Sequence, residues 1–568
     1  MTAGIARPDV QAVAAPAVPA SVAPVHPLNA GTLRRHAERL HVPTYDRSAL
    51  TPAVVHLSVG GFSRSHQLVY FDELAETGDT GWGVVGVGLH SPTMRDALAP
   101  QDMLYTVVER DAGLERARVI GAMVEYVYAP DDPERVLSVL TDPRTRLVTM
   151  TITDAAYRVD RRTGEYRPDA EARRDLATPH QPRSVFGYLV EALARRRTAG
   201  LPAFTVLSCD NVPANGAVTR AAVVGHARLL DEVLARWITD SAAFPSSMVD
   251  RITPVTSPAE RAAVAERFGV DDRWPVITEP FSQWFIEDSF SSGRPPLDGV
   301  GVRFVPDVAP YALMKTRLLN AGHSALGHLG VLAGYRRIDE LMADDLFRAF
   351  AARLMAEEVA PLLPQPPGVD LGEYQQVLLG RFANPAIADG LDRLCRRGST
   401  KIPGNLLPSL RLALAAGRPT GLLTLAVAGW FRYLRGTDLD GRPLQLEDAR
   451  AGTLTALARA GGTDPRPLLA ERSLFGDLAD DAGFVAALAA DLEQLDRDGV
   501  AATLEAHLSA GVASLPGVST GQPTGPVRDH PHGEPDPGGP QHDRTAPASA
   551  LRLRPVRPAP TTDRRPQR

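Results

Sequence analysis

The sequence predicts an α/β domain followed by an all-α domain, with an unfolded segment at each end. Three observations carry this. In the first half, the runs AVVHLSV, WGVVGVGL, RLVTMTIT and FTVLSC are apolar or β-branched and flanked by turn residues, as buried strands are, and amphipathic helices lie between them. From Tyr311 onward the strand signals fade, and segments such as Asp339 to Glu358 and Thr453 to Ala460 carry helical spacing. At the ends, residues 1–48 have no aromatic before Tyr45, and Pro516 to Arg568 holds 12 Pro in 53 residues with no aromatic at all. Such compositions bury too little apolar surface to fold. The expected boundaries are a mostly disordered leader over 1–48 that ends in a short ordered lead-in, an α/β domain over 49–306, a helical domain over 307–515 and a disordered tail over 516–568. The junction falls near Phe304 to Pro310. No internal repeat is found.

Composition narrows the partners. With 568 residues, 44% hydrophobic and 23% charged, the chain reads as an ordinary globular protein of several domains. Its 61 basic and 67 acidic side chains give a formal charge of -6, so no global basic field exists to hold nucleic acid or an anionic membrane. The expected partner is a small molecule. Cys209 and Cys395 are the only cysteines, which excludes a disulfide framework and any Cys-built zinc site. A reducing cytoplasm fits. The N-terminus is broken by Pro8, Pro16 and Pro19 and lacks a signal-peptide core. No run of about 18 apolar residues is present to span a bilayer. His530, His532 and His542, and the six Arg from Arg552 onward, read as solvated tail residues.

The basic residues comprise 59 Arg and two Lys, Lys315 and Lys401. A codon bias toward Arg replaces Lys wherever a generic positive charge suffices. Lys is then retained where a compact ammonium, or one able to lose its proton, is required. Arg cannot act as a general base, so the two lysines are candidates for a chemical role.

Val54 to Gln67, VVHLSVGGFSRSHQ, reads as a strand entering a Gly-containing turn and then a helix from Gln67 to Leu74. That geometry offers backbone N–H groups and a helix N-terminus to a pyrophosphate, with Ser58, Gly60, Gly61, Phe62 and Arg64 as the candidate cofactor-binding residues. Ser58 stands at the first position of the G-x-G fingerprint. A second strand, Trp82 to Leu89, follows at Rossmann spacing. It runs into His90, Ser91 and Pro92, without the Asp or Glu that usually binds the ribose 2'-hydroxyl. NAD is the expected cofactor, with NADP left open.

Around Lys315 the sequence VAPYALMKTRLLNAGHSALGHLGVLAGY reads as an apolar helix in which Gly322, Gly327, Gly330 and Gly334 permit close packing. At α-helical pitch, Asn320 lies at about 140° and His323 at about 80° from Lys315, one broad face. A charged Lys in so apolar a helix is costly unless it is paired or its pKa falls.

Lys-x4-Asn-x2-His, preceded by SCDN at Ser208 to Asn211, FPSSMVDRITP at Phe244 to Pro254 and TEPFSQWFIED at Thr278 to Asp288, resembles the long-chain mannitol dehydrogenase family. This family includes mannitol 2-dehydrogenases, arabinitol dehydrogenases and uronate reductases. The resemblance extends from about Val54 to Lys401 and more faintly to about 510. It implies an N-terminal Rossmann-type domain, a helical C-terminal domain and metal-independent hydride transfer in the cleft between them. It further implies that Lys315 is the general acid/base, that Asn211 and Asn320 hold the reacting oxygen, and that His323 positions substrate. Asp250, Arg393 and Lys401 match positions that bind the remaining hydroxyls or shape the pocket. No metal is implied, and the family admits a monomer.

Ser58 departs from the family pattern, as do Asp154-Ala155-Ala156, where relatives commonly have Glu-x-Gly, and Ala312, where relatives often have Glu. The loop after Leu89 also looks shorter. The leading expectation is an NAD(P)-dependent polyol dehydrogenase. A fructuronate or tagaturonate reductase is the runner-up, needing a further cation such as Arg393 for the carboxylate. From another class, the altered glycine turn motivates a catalytically degraded dinucleotide-binding regulatory protein, which the complete Lys-Asn-Asn-His set opposes.

Overall fold

Five buried strands organise the first half of the molecule. The computed structural model describes residues 24–512. Among them, Pro52–Leu57, Gly83–Gly88, Met123–Tyr128, Leu147–Met150 and Thr205–Ser208 form one parallel sheet. Numbered in chain order, these strands stand in the sheet as 3-2-1-4-5. In this doubly wound order the winding reverses beside the first strand, which opens a crevice outside the carboxyl ends of the first and fourth strands.

Both faces of the sheet are covered, which is why its strands read as unbroken apolar runs. Val55, Leu57, Val85 and Val87 pack toward the helices Pro133–Thr141, Val185–Thr198, Asn215–Leu230 and Glu232–Ser241. Ala53, Val54 and Val84 pack on the other side, with helix Gln67–Glu76. All four strands expected from the sequence are present. Met123–Tyr128 had weaker signals: it lies at the sheet edge and carries Glu125, which pairs with Arg135.

Three further strands link this domain to the helical one. Gln283–Glu287 runs antiparallel to Ser247–Asp250 and parallel to Arg303–Val305. Because side chains alternate across a strand, Met248 and Phe285 join the core of the helical half, whereas Val249 and Trp284 join the Rossmann-side core. The small sheet is thus shared between the domains, and it ends at Asp250.

The expected leader is more folded than its composition suggests. His26–Pro27 pairs with Val270–Asp271, and Leu28 and Leu40 are buried in a small core with Val264, Val270 and Ile277. A few apolar anchors suffice here because the segment joins an existing edge instead of building a core of its own. Residues 1–23 and 513–568, including all of the expected tail, lie outside the described residues.

Among the described residues from Ala309 onward, the regular elements are helices, apart from isolated bridges. Asp339 to Glu358 is not one helix. The Asp344 carboxylate accepts the Leu346 N–H at 2.9 Å, so Ile338–Met342 stops and Asp345–Arg353 starts anew, running into a π turn over Leu354–Val359. In helix Ala321–Leu332, a Cβ at Gly330 would stand 2.8 Å from both Leu341 and Leu391, so glycine is what lets these elements approach.

The turn after the first strand carries a local cost. Ser58 has φ +68°, a left-handed conformation held by its N–H on the Val87 carbonyl at 2.8 Å and its carbonyl on the Thr151 hydroxyl at 3.0 Å. A residue with a Cβ is disfavoured there by about 1–2 kcal/mol, and glycine is not. Ser58→Gly is therefore expected to raise stability by up to about 1 kcal/mol after the entropy of the unfolded glycine is counted, measured as a higher midpoint in urea.

Candidate active site

The site is built where the sheet, the small antiparallel strands and the first helices of the second domain meet. Lys315 ends helix Ala309–Lys315 and is buried. Its Nζ donates to Asn211 Oδ1 at 2.7 Å and to the Val249 carbonyl at 2.6 Å. Asn211 lies just past the fifth strand of the parallel sheet, and Val249 lies in the shared antiparallel strand. Three separate elements thus converge on one nitrogen. Burial, the largest influence, lowers the pKa of Lys315; Asp250 raises it, Arg381 lowers it and Glu279 raises it.

The helix after Lys315 is not regular. Thr316–Asn320 is a π turn, after which Ala321–Leu332 resumes α pitch. A π turn inserts one residue into the ladder. Asn320 and His323 therefore fall where the fourth and seventh residues of a regular helix would lie, at about 40° and about 20° from Lys315. The 140° and 80° expected from uniform pitch are corrected to a narrow stripe. Asn320 keeps its side-chain amide free of hydrogen bonds among the described residues. His323 packs against Phe382 at 4.5 Å between ring centroids, and its buried Nε2 has no partner. Burial first, then Arg393, Arg381 and Lys401, hold the His323 pKa well below its usual value. The ring is neutral at working pH.

Asp250 does not stand free. Arg381, from helix Leu371–Phe382, donates to both its oxygens at 2.9 Å and to both oxygens of Glu279 at 3.0 and 2.8 Å. The guanidinium also lies 4.0 Å over the Phe281 ring. Glu279 in turn accepts the Ile252 N–H at 2.6 Å. This buried carboxylate–guanidinium–carboxylate cluster joins the two domains beside Lys315. Burial pushes Asp250 up, but Arg381 and Lys315 prevail and hold it below the usual carboxylate range.

Arg393 and Lys401 lie on the His323 side. Arg393 forms a two-pronged pair with Asp389, and Lys401 donates to the Leu394 carbonyl at 3.2 Å. Burial, reinforced by Arg393, brings the Lys401 amine down to about 8. The structure therefore gathers Lys315, Asn211, Asp250 and His323 into one group, with Arg393 and Lys401 beyond His323, and helical geometry puts Asn320 on the same stripe as Lys315 and His323. Arg381 and Glu279 had escaped as functional residues. Glu279 lies within TEPFSQWFIED, but Arg381 is one arginine among 59 and carries no local signal.

The candidate cofactor turn lies at the winding reversal. A Cβ at Gly60 would meet nothing within 4 Å, and one at Gly61 only Thr253 Cγ2 at 4.0 Å. Backbone here borders open space, which suits the close approach of a pyrophosphate at the start of helix Gly61–Ser65. Ser58, Gly60, Gly61 and Phe62 line this turn. Arg64 is placed differently: its buried guanidinium bonds the carbonyls of Trp274 and Gly60 and lies 5.2 Å over the Tyr105 ring, bracing the turn from the protein side.

A doubly wound domain, a helical domain and, where the two meet, a buried amine bonded to the Asn211 amide mark a two-domain oxidoreductase of the dinucleotide-dependent class. Residues 52–299 match the family profile of the mannitol dehydrogenase Rossmann domain, and residues 307–496 match that of the mannitol dehydrogenase C-terminal domain. The chain belongs to the mannitol dehydrogenase family. It is 46% identical to a mannitol 2-dehydrogenase of Phaeosphaeria nodorum over 82% of this chain and 83% of that protein. It is 45% identical to one of Aspergillus fumigatus over 82% and 95%. Among solved structures, the Pseudomonas fluorescens mannitol 2-dehydrogenase ternary complex with NAD and D-mannitol superposes with a TM-score of 0.78 at 41% identity, covering 85% of this chain and all of that one. A D-sorbitol dehydrogenase in substrate-free form gives 0.78 at 34% identity, covering 84% and all of that chain.

The buried cluster can be tested directly. Removing the cation strands two carboxylates, so Arg381→Met is expected to cost about 3–5 kcal/mol in urea unfolding. It is also expected to raise the pKa of Lys315, because the nearest positive charge is lost while both negative ones stay.

Proposed function

We propose that this chain is an NAD-dependent polyol dehydrogenase. In this reading it interconverts a sugar alcohol of mannitol or arabinitol type with its ketose, of fructose type, by metal-independent hydride transfer with Lys315 as general acid/base. The observation that carries the proposal is the bonding of Lys315 Nζ. A neutral amine has two N–H groups and one lone pair. With both N–H groups given to Asn211 Oδ1 and Val249 O, the lone pair is left for the proton of a bound alcohol.

The same bond orients Asn211. Its Oδ1 faces Lys315, so its NH2 group is free to donate to the substrate oxygen, and the unbonded amide of Asn320 supplies a second donor. In oxidation the alcohol O–H proton passes to Lys315 as the C–H hydride leaves for the cofactor, and the carbonyl forms. The turn Ser58–Phe62 would hold NAD, which would supply the hydride acceptor. In reduction the lysine ammonium returns its proton to the ketone oxygen. Neutral His323 suits a neighbouring hydroxyl, as donor or acceptor. Asp250, fixed by Arg381, and Arg393 and Lys401 beyond His323 line the positions for the remaining hydroxyls. The two buried cysteines, unpaired in the structure, fit a reducing compartment, and among the described residues no helix is long and apolar enough to cross a membrane.

The experiment is to follow formation or loss of the reduced nicotinamide with purified protein, offering NAD and NADP separately against mannitol, arabinitol, sorbitol, fructose and fructuronate. Turnover of NAD with one polyol is expected. A preference for fructuronate instead favours the uronate reading; Arg393, the cation expected for it, is engaged by Asp389, so Lys401, bonded to carbonyls and among the described residues to no carboxylate, would meet the extra negative charge. Dinucleotide binding without turnover on any substrate favours the regulatory reading. Lys315→Ala is expected to abolish turnover while a titration still shows dinucleotide binding, and near-normal kcat at neutral pH would remove the lysine from the chemistry. Because oxidation needs the free amine and reduction the ammonium, oxidation is expected to rise with pH through the lowered lysine pKa and reduction to fall.

A further inference from the structure

Beside Asn211 stands a carboxylate that the reaction above leaves unused. Asp210 follows the fifth strand of the parallel sheet, and its Oδ2 accepts the Tyr157 hydroxyl at 2.5 Å. The same hydroxyl lies 2.6 Å from Ser208 Oγ. The main chain of Asp210 is held too. Its N–H donates to Ser208 Oγ at 3.3 Å, and its carbonyl accepts from Asn215 Nδ2 at 3.0 Å and from the Val212 N–H at 2.8 Å. Asn215 bonds the Ser247 backbone in both directions, donating to its carbonyl and accepting its N–H, each at 2.9 Å. A continuous run of bonds thus joins Tyr157, Asp210, Asn215 and strand Ser247–Asp250. Both acceptors of the Lys315 amine, Asn211 Oδ1 and the Val249 carbonyl, hang on this run.

We propose that Asp210 is a positioning residue for the reaction: ionised, it grips Tyr157 and fixes the turn that presents Asn211 to Lys315, and on protonation it loosens that turn. The proposal rests on the reading of Lys315 as acid/base. The groups around the carboxylate favour a titration within the working range. Tyr157 and Asp154 face it from the short turn Asp154–Tyr157, the Ile152 N–H from the end of the fourth strand, and Ser208 and Cys209 from its own strand and turn. Asp154 is engaged by Arg161, and among the described residues no ion pair reaches Asp210. Burial pushes its pKa up to about 7, against the Tyr157, Ile152 and Ser208 hydrogen bonds that lower it, with Asp154 adding to the rise. The hydroxyl of Tyr157 donates to the charged form, so protonation weakens that grip.

Ketose reduction separates this titration from that of Lys315, since loss of the lysine proton can only produce an alkaline limb. The measurement is kcat for fructose reduction with the full-length chain between about pH 5 and about pH 9, for wild type, Asp210→Asn and Tyr157→Phe. Wild type is expected to lose activity on the acid side with a midpoint near that of Asp210. Tyr157→Phe, which removes a donor to the charged form, is expected to move that limb to higher pH by about one unit. Asp210→Asn is expected to lack the limb and to lower kcat by about tenfold or more, with the fructose KM changed less than kcat. A wild-type profile flat on the acid side, or a limb that persists unshifted in Asp210→Asn, overturns the proposal. A wild type without turnover on any substrate removes the reading of Lys315, and this proposal with it.

Discussion

One nitrogen atom sets the terms for the rest of the molecule. A primary amine buried in apolar packing is unfavourable as an ammonium, and as a free base it needs acceptors for its two hydrogens. The fold meets both needs with groups from different places: an amide oxygen after the parallel sheet and a main-chain carbonyl of a shared strand. Neither acceptor belongs to the helix that carries the amine. The position of Lys315 is therefore a statement about how two domains fit, and misfit between them would be felt first at this atom.

The Arg381 cluster has the complementary task. A buried ion pair adds little net stability over a well-packed apolar contact, but it is costly to break once formed. Placed across the domain boundary, Arg381 with Asp250 and Glu279 permits one relative arrangement and penalises others. It also sets the local electrical background. Two carboxylates and one guanidinium leave a net negative charge close to Lys315, which partly offsets the depression that burial imposes.

Much of this was legible in the sequence. The four central strands announced themselves because a sheet buried on both faces needs continuous apolar runs. Lys315 and Lys401 stood out because an arginine-rich chain had kept only two lysines. What stayed hidden depended on contacts between distant segments. Arg381 looks like any other surface-type cation until it is seen 131 residues from the Asp250 it pairs with. The edge strand Met123–Tyr128 is only partly apolar because one side of it has no strand neighbour. The docking of Leu28 and Leu40 depended on a partner edge more than 200 residues downstream, which local composition does not register. The angular offsets of Asn320 and His323 came out too wide because uniform pitch was assumed where the ladder carries an extra residue.

That extra residue has a bearing on how such a site can change over time. A single-residue deletion between Thr316 and Asn320 would remove the extra residue and return the stretch to regular α pitch, leaving Asn320 and His323 at the same angles from Lys315. A second deletion has no extra residue to absorb it: it would turn everything after it by about 100° and retract it by about 1.5 Å, so that Asn320 and His323 would swing away from Lys315 although every side chain named here survived. In this stretch, residue count matters beside residue identity: the helix tolerates the loss of one residue, and a loss of two would separate chains that share the chemistry from chains that share only its letters.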